Sequence, residues 1–210
     1  MPPLKFFSCS NFSPCSKIAL SALCCVQLFS FNLQATEFEL TPIVGYNFSP
    51  DLVDGSDGST IATSNEPNFA LAFAWQDSPK GQGQILVNYI SRDFTDKINQ
   101  LNHSFDTVYA HFNGVALFRE KSYVTTVGVG IGATYFDSDF DSEVYPSLTA
   151  SVGTRYEFSN NLSLITELRA YATLTEDDDT LFCQGDICSA HFDSAVWFDA
   201  QISVGLAYKF

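Results

Sequence analysis

The sequence predicts an all-β fold: an eight-stranded antiparallel up-and-down transmembrane β-barrel, built as a meander. Two-residue alternation of apolar and polar side chains recurs in eight segments, and alternation at that period means strands with two chemically different faces. The connections between segments run long and short in turn. Beyond the first 35 residues no run of about 18 apolar residues is present, so a bundle of spanning helices is excluded. The chain has 210 residues, enough for one domain. Its 24 acidic against 10 basic residues give a net charge of −14, which leaves no basic patch for nucleic acid. Twenty Phe argue against disorder.

Residues 1–35 have the layout of a secretory signal. Lys5 and Lys17 come first with no acidic residue, an apolar stretch runs over 18–31, and Asn32-Leu33-Gln34-Ala35 ends on a small residue. Cleavage is expected between Ala35 and Thr36, leaving 36–210 as the barrel domain. A membrane anchor fits less well, because the apolar stretch is short. A lipoprotein signal wants Gly, Ala or Ser before its cysteine, and Leu23 precedes Cys24. All 24 acidic residues and eight basic ones follow Ala35, so the exported chain carries about −16. Cys183 and Cys188 are the cysteines that remain. Export to an oxidising compartment makes a loop disulfide the natural expectation. Closing so small a ring stiffens a loop by about 2 kcal/mol.

The last segment is the clearest. Over 196–210, Val196, Phe198, Ala200, Ile202, Val204, Leu206, Tyr208 and Phe210 share one parity, against Trp197, Asp199, Gln201, Ser203, Gly205, Ala207 and Lys209. The first segment sets Phe38, Leu40, Val44, Tyr46 and Phe48 against Glu39, Thr41, Gly45 and Asn47. The second sets Phe69, Leu71, Phe73 and Trp75 against Asn68, Ala70, Ala72 and Ala74. The third (84–94) and fourth (105–118) alternate less cleanly, with Ile90 and Leu117 on the polar parity. The fifth sets Val127, Val129, Ile131, Ala133 and Tyr135 against Gly128, Gly130, Gly132 and Thr134. The sixth sets Leu148, Ala150, Val152 and Tyr156 against Ser147, Thr149, Ser151, Gly153 and Arg155. The seventh sets Leu162, Leu164, Leu168, Ala170, Ala172 and Leu174 against Ser163, Glu167, Arg169, Tyr171 and Thr173.

Alternation by itself does not say which face is inside. Three features turn the apolar face outward to lipid. Aromatic residues stand near the segment ends of the apolar parity (Phe38, Phe48, Trp75, Tyr123, Tyr135, Tyr156, Tyr208, Phe210), where rings form interfacial girdles. Gly128, Gly130, Gly132 and Gly153 share the other parity with charges, as a narrow interior needs. Charged residues are scarce on the segments, where a soluble barrel would display Lys and Glu. Long connections at 49–66, 95–104, 137–143 and 175–195 alternate with short ones, the pattern of external loops and tight turns in membrane barrels.

Ile202, Val204, Leu206, Tyr208 and the terminal Phe210 together resemble the terminal signal of Gram-negative outer-membrane barrels. With the leader and the eight segments, the chain resembles the small outer-membrane β-barrel family over its whole exported length. The resemblance implies insertion in the cell outer membrane, with outer-membrane lipid and lipopolysaccharide around the wall. It also implies recognition of the last strand by the barrel-assembly machinery. A monomer is expected, and no cofactor or metal.

Candidate chemistry lies first on the inward parity. Glu39, Arg92, Arg155, Glu167, Arg169, Asp199 and Lys209 are expected to form an interior polar network, since ions in a confined interior need partners. Glu39 and Lys209 in particular are expected to pair where the first and last strands meet. Eight strands leave an interior about filled by side chains, which disfavours an open pore. A narrow conduit for small or apolar solutes is therefore the second reading. A lipid A-modifying barrel enzyme is the third, resting on His103 with Ser104, on His111, and on His191 near Asp193 and Ser194. Nothing in sequence brings a nucleophile to its base. Asp51, Asp54 and Asp57 resemble a calcium loop in composition but not in spacing. Asp137, Asp139, Asp141 and Glu143 share one parity and form a solvated acidic rim able to gather divalent ions. The leading reading is a non-enzymatic barrel with a structural or surface-interaction role through four external loops.

Overall fold

A computed structural model of the chain describes residues 37–54, 60–95, 102–138, 141–175, 183–184, 187–188, 190–192 and 195–210. The leader and its cleavage point fall outside these residues. Eight long strands make the barrel: β1 (Phe38–Phe48), β4 (Glu66–Ser78), β5 (Gly81–Thr95), β6 (Asn102–Arg119), β7 (Val124–Ser138), β8 (Ser142–Glu157), β9 (Leu162–Leu174) and β13 (Val196–Lys209). Five short strands lie in two of the loops: β2 (Leu52–Asp54), β3 (Thr60–Ile61), β10 (Cys183–Gln184), β11 (Ile187–Cys188) and β12 (Ala190–His191).

Each barrel strand pairs antiparallel with its sequence neighbour in the barrel, and β1 pairs with β13 to close the ring. Closure is completed at the chain end, where Phe210 N donates to Phe38 O at 2.9 Å and Phe38 N donates to Phe210 O at 3.3 Å. The start of β1, the end of β13 and the tight turns at 79–80, 120–123 and 158–161 all lie at one end of the barrel, here the short-turn end. The other end carries the connections at 49–65, 96–101, 139–141 and 175–195.

One connection differs from expectation. The acidic segment 137–143 is not a long loop, because β7 and β8 extend into it from either side and pair Asp137 with Ser142. Asp and Glu side chains are tolerated there because a hairpin projecting into water needs no apolar face. The 18 residues of β6 extend the neighbouring hairpin in the same way.

The apolar parity faces outward on every barrel strand. Val44, Phe69, Val129, Ile131, Leu148, Leu168, Ile202 and Leu206 are all exposed, and their polar-parity neighbours are buried or half-buried. The two doubtful positions resolve inward: Ile90 is fully buried and Leu117 nearly so. They break the alternation because the interior is itself partly apolar. Ile90 packs with Ile43, Leu86, Tyr109 and Tyr171, and Leu117 with Val115 and Val124. On the outer face Gly83 stands opposite Trp75 in the register. A Cβ there would run into the Trp75 indole, so the glycine lets the ring lie flat across the strand.

An outward band of this composition is the surface a barrel presents to hydrocarbon. Val129, 64% exposed near the middle of β7, tests it. Val129→Arg is expected to lower folding stability in lipid vesicles by about 2–4 kcal/mol, read by urea titration. A change near zero would mean that this wall faces water.

Candidate functional site

The interior is a column of side chains tied across the lumen. Toward the long-loop end, Asp199 on β13 is the hub. Its Oδ2 accepts from Arg92 Nη2 at 2.8 Å, from Trp197 Nε1 at 3.1 Å and from the Tyr109 hydroxyl. Arg92 and Asp199 side chains are fully buried. Arg92 also donates to Asn47, Ser49 and Thr107, so its fork is filled from three further strands or loops. Phe105 lies under the same guanidinium, 5.7 Å from ring centroid to Cζ.

Below this hub, Asn88 donates to Gln201 Oε1 at 2.9 Å and to the Tyr171 hydroxyl at 3.2 Å, bridging β5 to β13 and β9. The Tyr109 and Tyr171 rings stack at 4.0 Å and fill the middle of the bore. Arg169 pairs with Glu167 two residues away on β9, at 2.7 Å. Toward the short-turn end, Arg155 on β8 grips Glu39 on β1 through both carboxylate oxygens at 2.6 Å. The bidentate form makes this a strong, directional contact. The buried ions therefore cancel pair by pair: Arg92 with Asp199, Arg169 with Glu167, Arg155 with Glu39.

The expected Glu39–Lys209 ion pair is not formed. The two residues are register neighbours, as closure requires. Glu39 turns instead to Arg155 across the lumen, and Lys209 Nζ reaches Glu37 at 3.0 Å on the rim. Burial decides this. Glu39 is 4% exposed and needs a fixed fork of donors, which the planar guanidinium supplies and a partly solvated ammonium does not.

Both ends of the column are shut. At the long-loop end Leu52, Ile61, Phe105, Phe136, Tyr145, Phe192 and Trp197 form a buried aromatic cap. A three-stranded sheet of β2, β3 and β12 carries Leu52, Ile61 and the chain to Phe192 onto it. At the short-turn end a cup of about 670 Å³ ends on Glu39 and Arg155. The cavity inside the bore near Arg155, Glu167 and Gln84 is only about 20 Å³.

Sequence reasoning found the charged members but not the neutral ones. Tyr109, Tyr171, Trp197 and Asn88 carry as much of the plug as the ions do. Their signal was large aromatic or amide side chains on the polar parity. Ile202, Val204, Leu206, Tyr208 and Phe210, the residues expected to carry the assembly signal, all project outward from β13 and its end.

The remaining candidates are scattered. His111 Nε2 and Ser147 Oγ lie 3.0 Å apart, but both are buried in the bore and face no opening. His103 is at the start of β6, and Asp193 and Ser194 fall outside the described residues. The backbones of Cys183 and Cys188 are direct partners in the β10–β11 ladder, while their side chains lie outside the described residues. Asp54 belongs to β2, and Asp57 and Asp139 are outside. Asp137 and Asp141 are exposed, and Glu143 accepts from the Tyr145 hydroxyl at 2.6 Å. Among the described residues no group of three or more His, Cys, Asp or Glu is arranged to hold a metal ion.

No family model matches the chain, and no curated protein matches it in sequence. Solved structures do match in fold. Neisserial surface protein A superposes with a TM-score of 0.58 at 11% identity, covering 84% of this chain and 98% of that one. The outer membrane protein OprG of Pseudomonas aeruginosa gives 0.54 at 10% identity, covering 83% and 95%. The neighbours are small eight-stranded outer-membrane barrels, and this chain shares their architecture.

Removing one partner of a buried pair costs more than removing both. Arg92→Met is expected to destabilise the barrel by about 3–5 kcal/mol, because it strands the Asp199 carboxylate. Adding Asp199→Asn should restore roughly half of the loss. Urea unfolding in vesicles reads both variants, and a double variant as unstable as the single one would contradict the pairing.

Proposed function

We propose that the chain is a non-enzymatic outer-membrane barrel, exported behind residues 1–35 and inserted as a monomer, that acts through its external loops. The short turns face the periplasm and the long connections face outside. The observation that carries this reading is the filled bore. Three neutralised ion pairs, two stacked tyrosines and an aromatic cap occupy the space a solute would need. Chemistry on the lipid-facing wall would need a base and nucleophile outside, whereas the His111–Ser147 pair is enclosed. What remains available to partners is the outer end.

That end is acidic. Asp51, Asp93, Asp137 and Asp141 are exposed there among the described residues, and Asp106 and Glu143 are half-buried. Leu52 and Ile61 from the 49–65 connection and Phe192 from the 175–195 connection are anchored in the cap. Cys183 and Cys188 would add a covalent brace in the second of these loops, consistent with their paired backbones. Such a rim suits cationic ligands and the divalent ions that bridge lipopolysaccharide. Assembly by the barrel machinery through the segment ending at Phe210 fits the outward register of that strand.

Two measurements test the reading. In planar bilayers the native protein should give no stepwise conductance, while a variant lacking the hub (Arg92→Ala, Asp199→Ala, Trp197→Ala) should. Native steps of porin size would favour the conduit instead. In cells lacking Cys183 and Cys188, a cysteine placed at Asp137 should react with an impermeant maleimide from outside. One placed at Asn160 should react only after the envelope is opened. Reversed labelling would sink the orientation.

A further inference from the structure

We propose that the barrel wall holds one glycerophospholipid of the periplasmic leaflet in a slanted groove, with its ester carbonyl accepting hydrogen bonds from Thr125 and from one of the paired hydroxyls of Thr154 and Thr166. The proposal rests on the membrane orientation above and adds a specific lipid site to it.

The groove is set by register. Val44, Val204, Thr166, Thr154 and Thr125 are consecutive partners on β1, β13, β9, β8 and β7, and all five face outward. The next outward row is Tyr46, Ile202, Leu168 and Val152. Between the two runs a row that faces inward, and Gly45 and Gly153 in it leave bare backbone as the floor. The two outward rows wall a groove of about 790 Å³. It crosses five strands, and four interstrand steps amount to about 19 Å. A leaflet's hydrocarbon is about 15 Å deep, so an acyl chain lying aslant fits that length.

The threonines are what make the groove more than a gap between rows. On these five strands every other outward position between the girdles is apolar. Valine has the same shape and belongs in lipid, so hydroxyls there need a reason. Thr154 Oγ1 and Thr166 Oγ1 are 2.8 Å apart and share one hydrogen. Two hydroxyls bring two hydrogens, so one remains without a protein acceptor. Thr125 brings another. In dry hydrocarbon an unpaired donor is costly. The groove therefore presents donors and calls for a ligand that only accepts.

Depth identifies the acceptor. Thr125 and Thr154 are one outward position inside Tyr123 and Tyr156, whose rings mark the short-turn girdle. Two residues along a tilted strand place the hydroxyls about 5 Å inside the rings. That is where fatty-acid ester carbonyls lie, just below the headgroups. Phosphate and amine groups sit farther out, and methylenes farther in offer nothing to accept.

The test is native mass spectrometry of the full exported chain, folded into liposomes of diester phosphatidylethanolamine and then released into mild detergent. One retained phospholipid per barrel is expected. The Thr125→Val, Thr154→Val, Thr166→Val variant should retain at least tenfold less, and so should the native chain taken from the diether analogue, which has no carbonyl. Equal retention by the variant, equal retention of the diether lipid, a native barrel without lipid, or a dimer in its place would each overturn the site. Should the triple variant not fold, the ester against ether comparison on the native chain decides. A chain that fails to insert at all, with no heat-dependent shift in gel mobility, would refute the membrane reading instead.

Discussion

Unpaired backbone is what hydrocarbon does not tolerate, and the whole architecture follows from that constraint. Every N–H and C=O in the spanning band must find a partner within the protein, so a sheet can cross only if it has no edge. Here the last edge is removed by β1 against β13, down to the mutual hydrogen bonds of Phe38 and Phe210 at the chain end. Closing at eight strands then sets the bore. It is too narrow for bulk water and too polar, by alternation, to be packed like an ordinary core.

The interior solves that conflict by pairing charge across the lumen. A buried ion left alone is costly, whereas one held by a fixed set of donors is tolerable. Asp199 receives three donors on one oxygen, from three different strands counting its own. Arg155 and Glu39 do the same work at the other end, and Arg169 with Glu167 between them. The Arg92–Asp199 and Arg155–Glu39 ties each join strands three apart around the ring, whereas Arg169 and Glu167 share β9. The contacts that neutralise the lumen therefore also hold the cross-section against collapse.

The sequence made the wall legible and the plug only half so. A residue's parity tells which face it occupies, and over 196–210 this needed no further information. Ile90 and Leu117 looked like errors because parity was being read as polarity. They are inward residues in a bore that takes apolar side chains wherever no ion sits. Partner choice was not legible. Glu39 and Lys209 share a register position, but strand tilt and side-chain reach bring Arg155 to Glu39 from three strands away. Such cross-lumen pairing depends on barrel shear, which no local pattern encodes. The loop lengths misled for a related reason. A hairpin that continues past the membrane, as at Asp137 and Ser142, has the composition of a loop and the hydrogen bonds of a sheet.

With the bore filled, the surfaces left open are the rim at the long-loop end and the outer wall, and the two obey opposite rules. In water, exposed acidic residues on the projecting β5–β8 hairpins are inexpensive, and their arrangement can serve a partner without affecting the fold. In lipid every polar atom is expensive, so a hydroxyl on the wall carries more information than a carboxylate on the rim. The cap links these regimes. Leu52, Ile61 and Phe192 are drawn from the two longest loops into the barrel mouth by the same burial that seals it. Each fully buried side chain of that size contributes about 1.5–3 kcal/mol. Sealing the bore and shaping the external surface are thus one packing event, and a change in the cap would be felt in both.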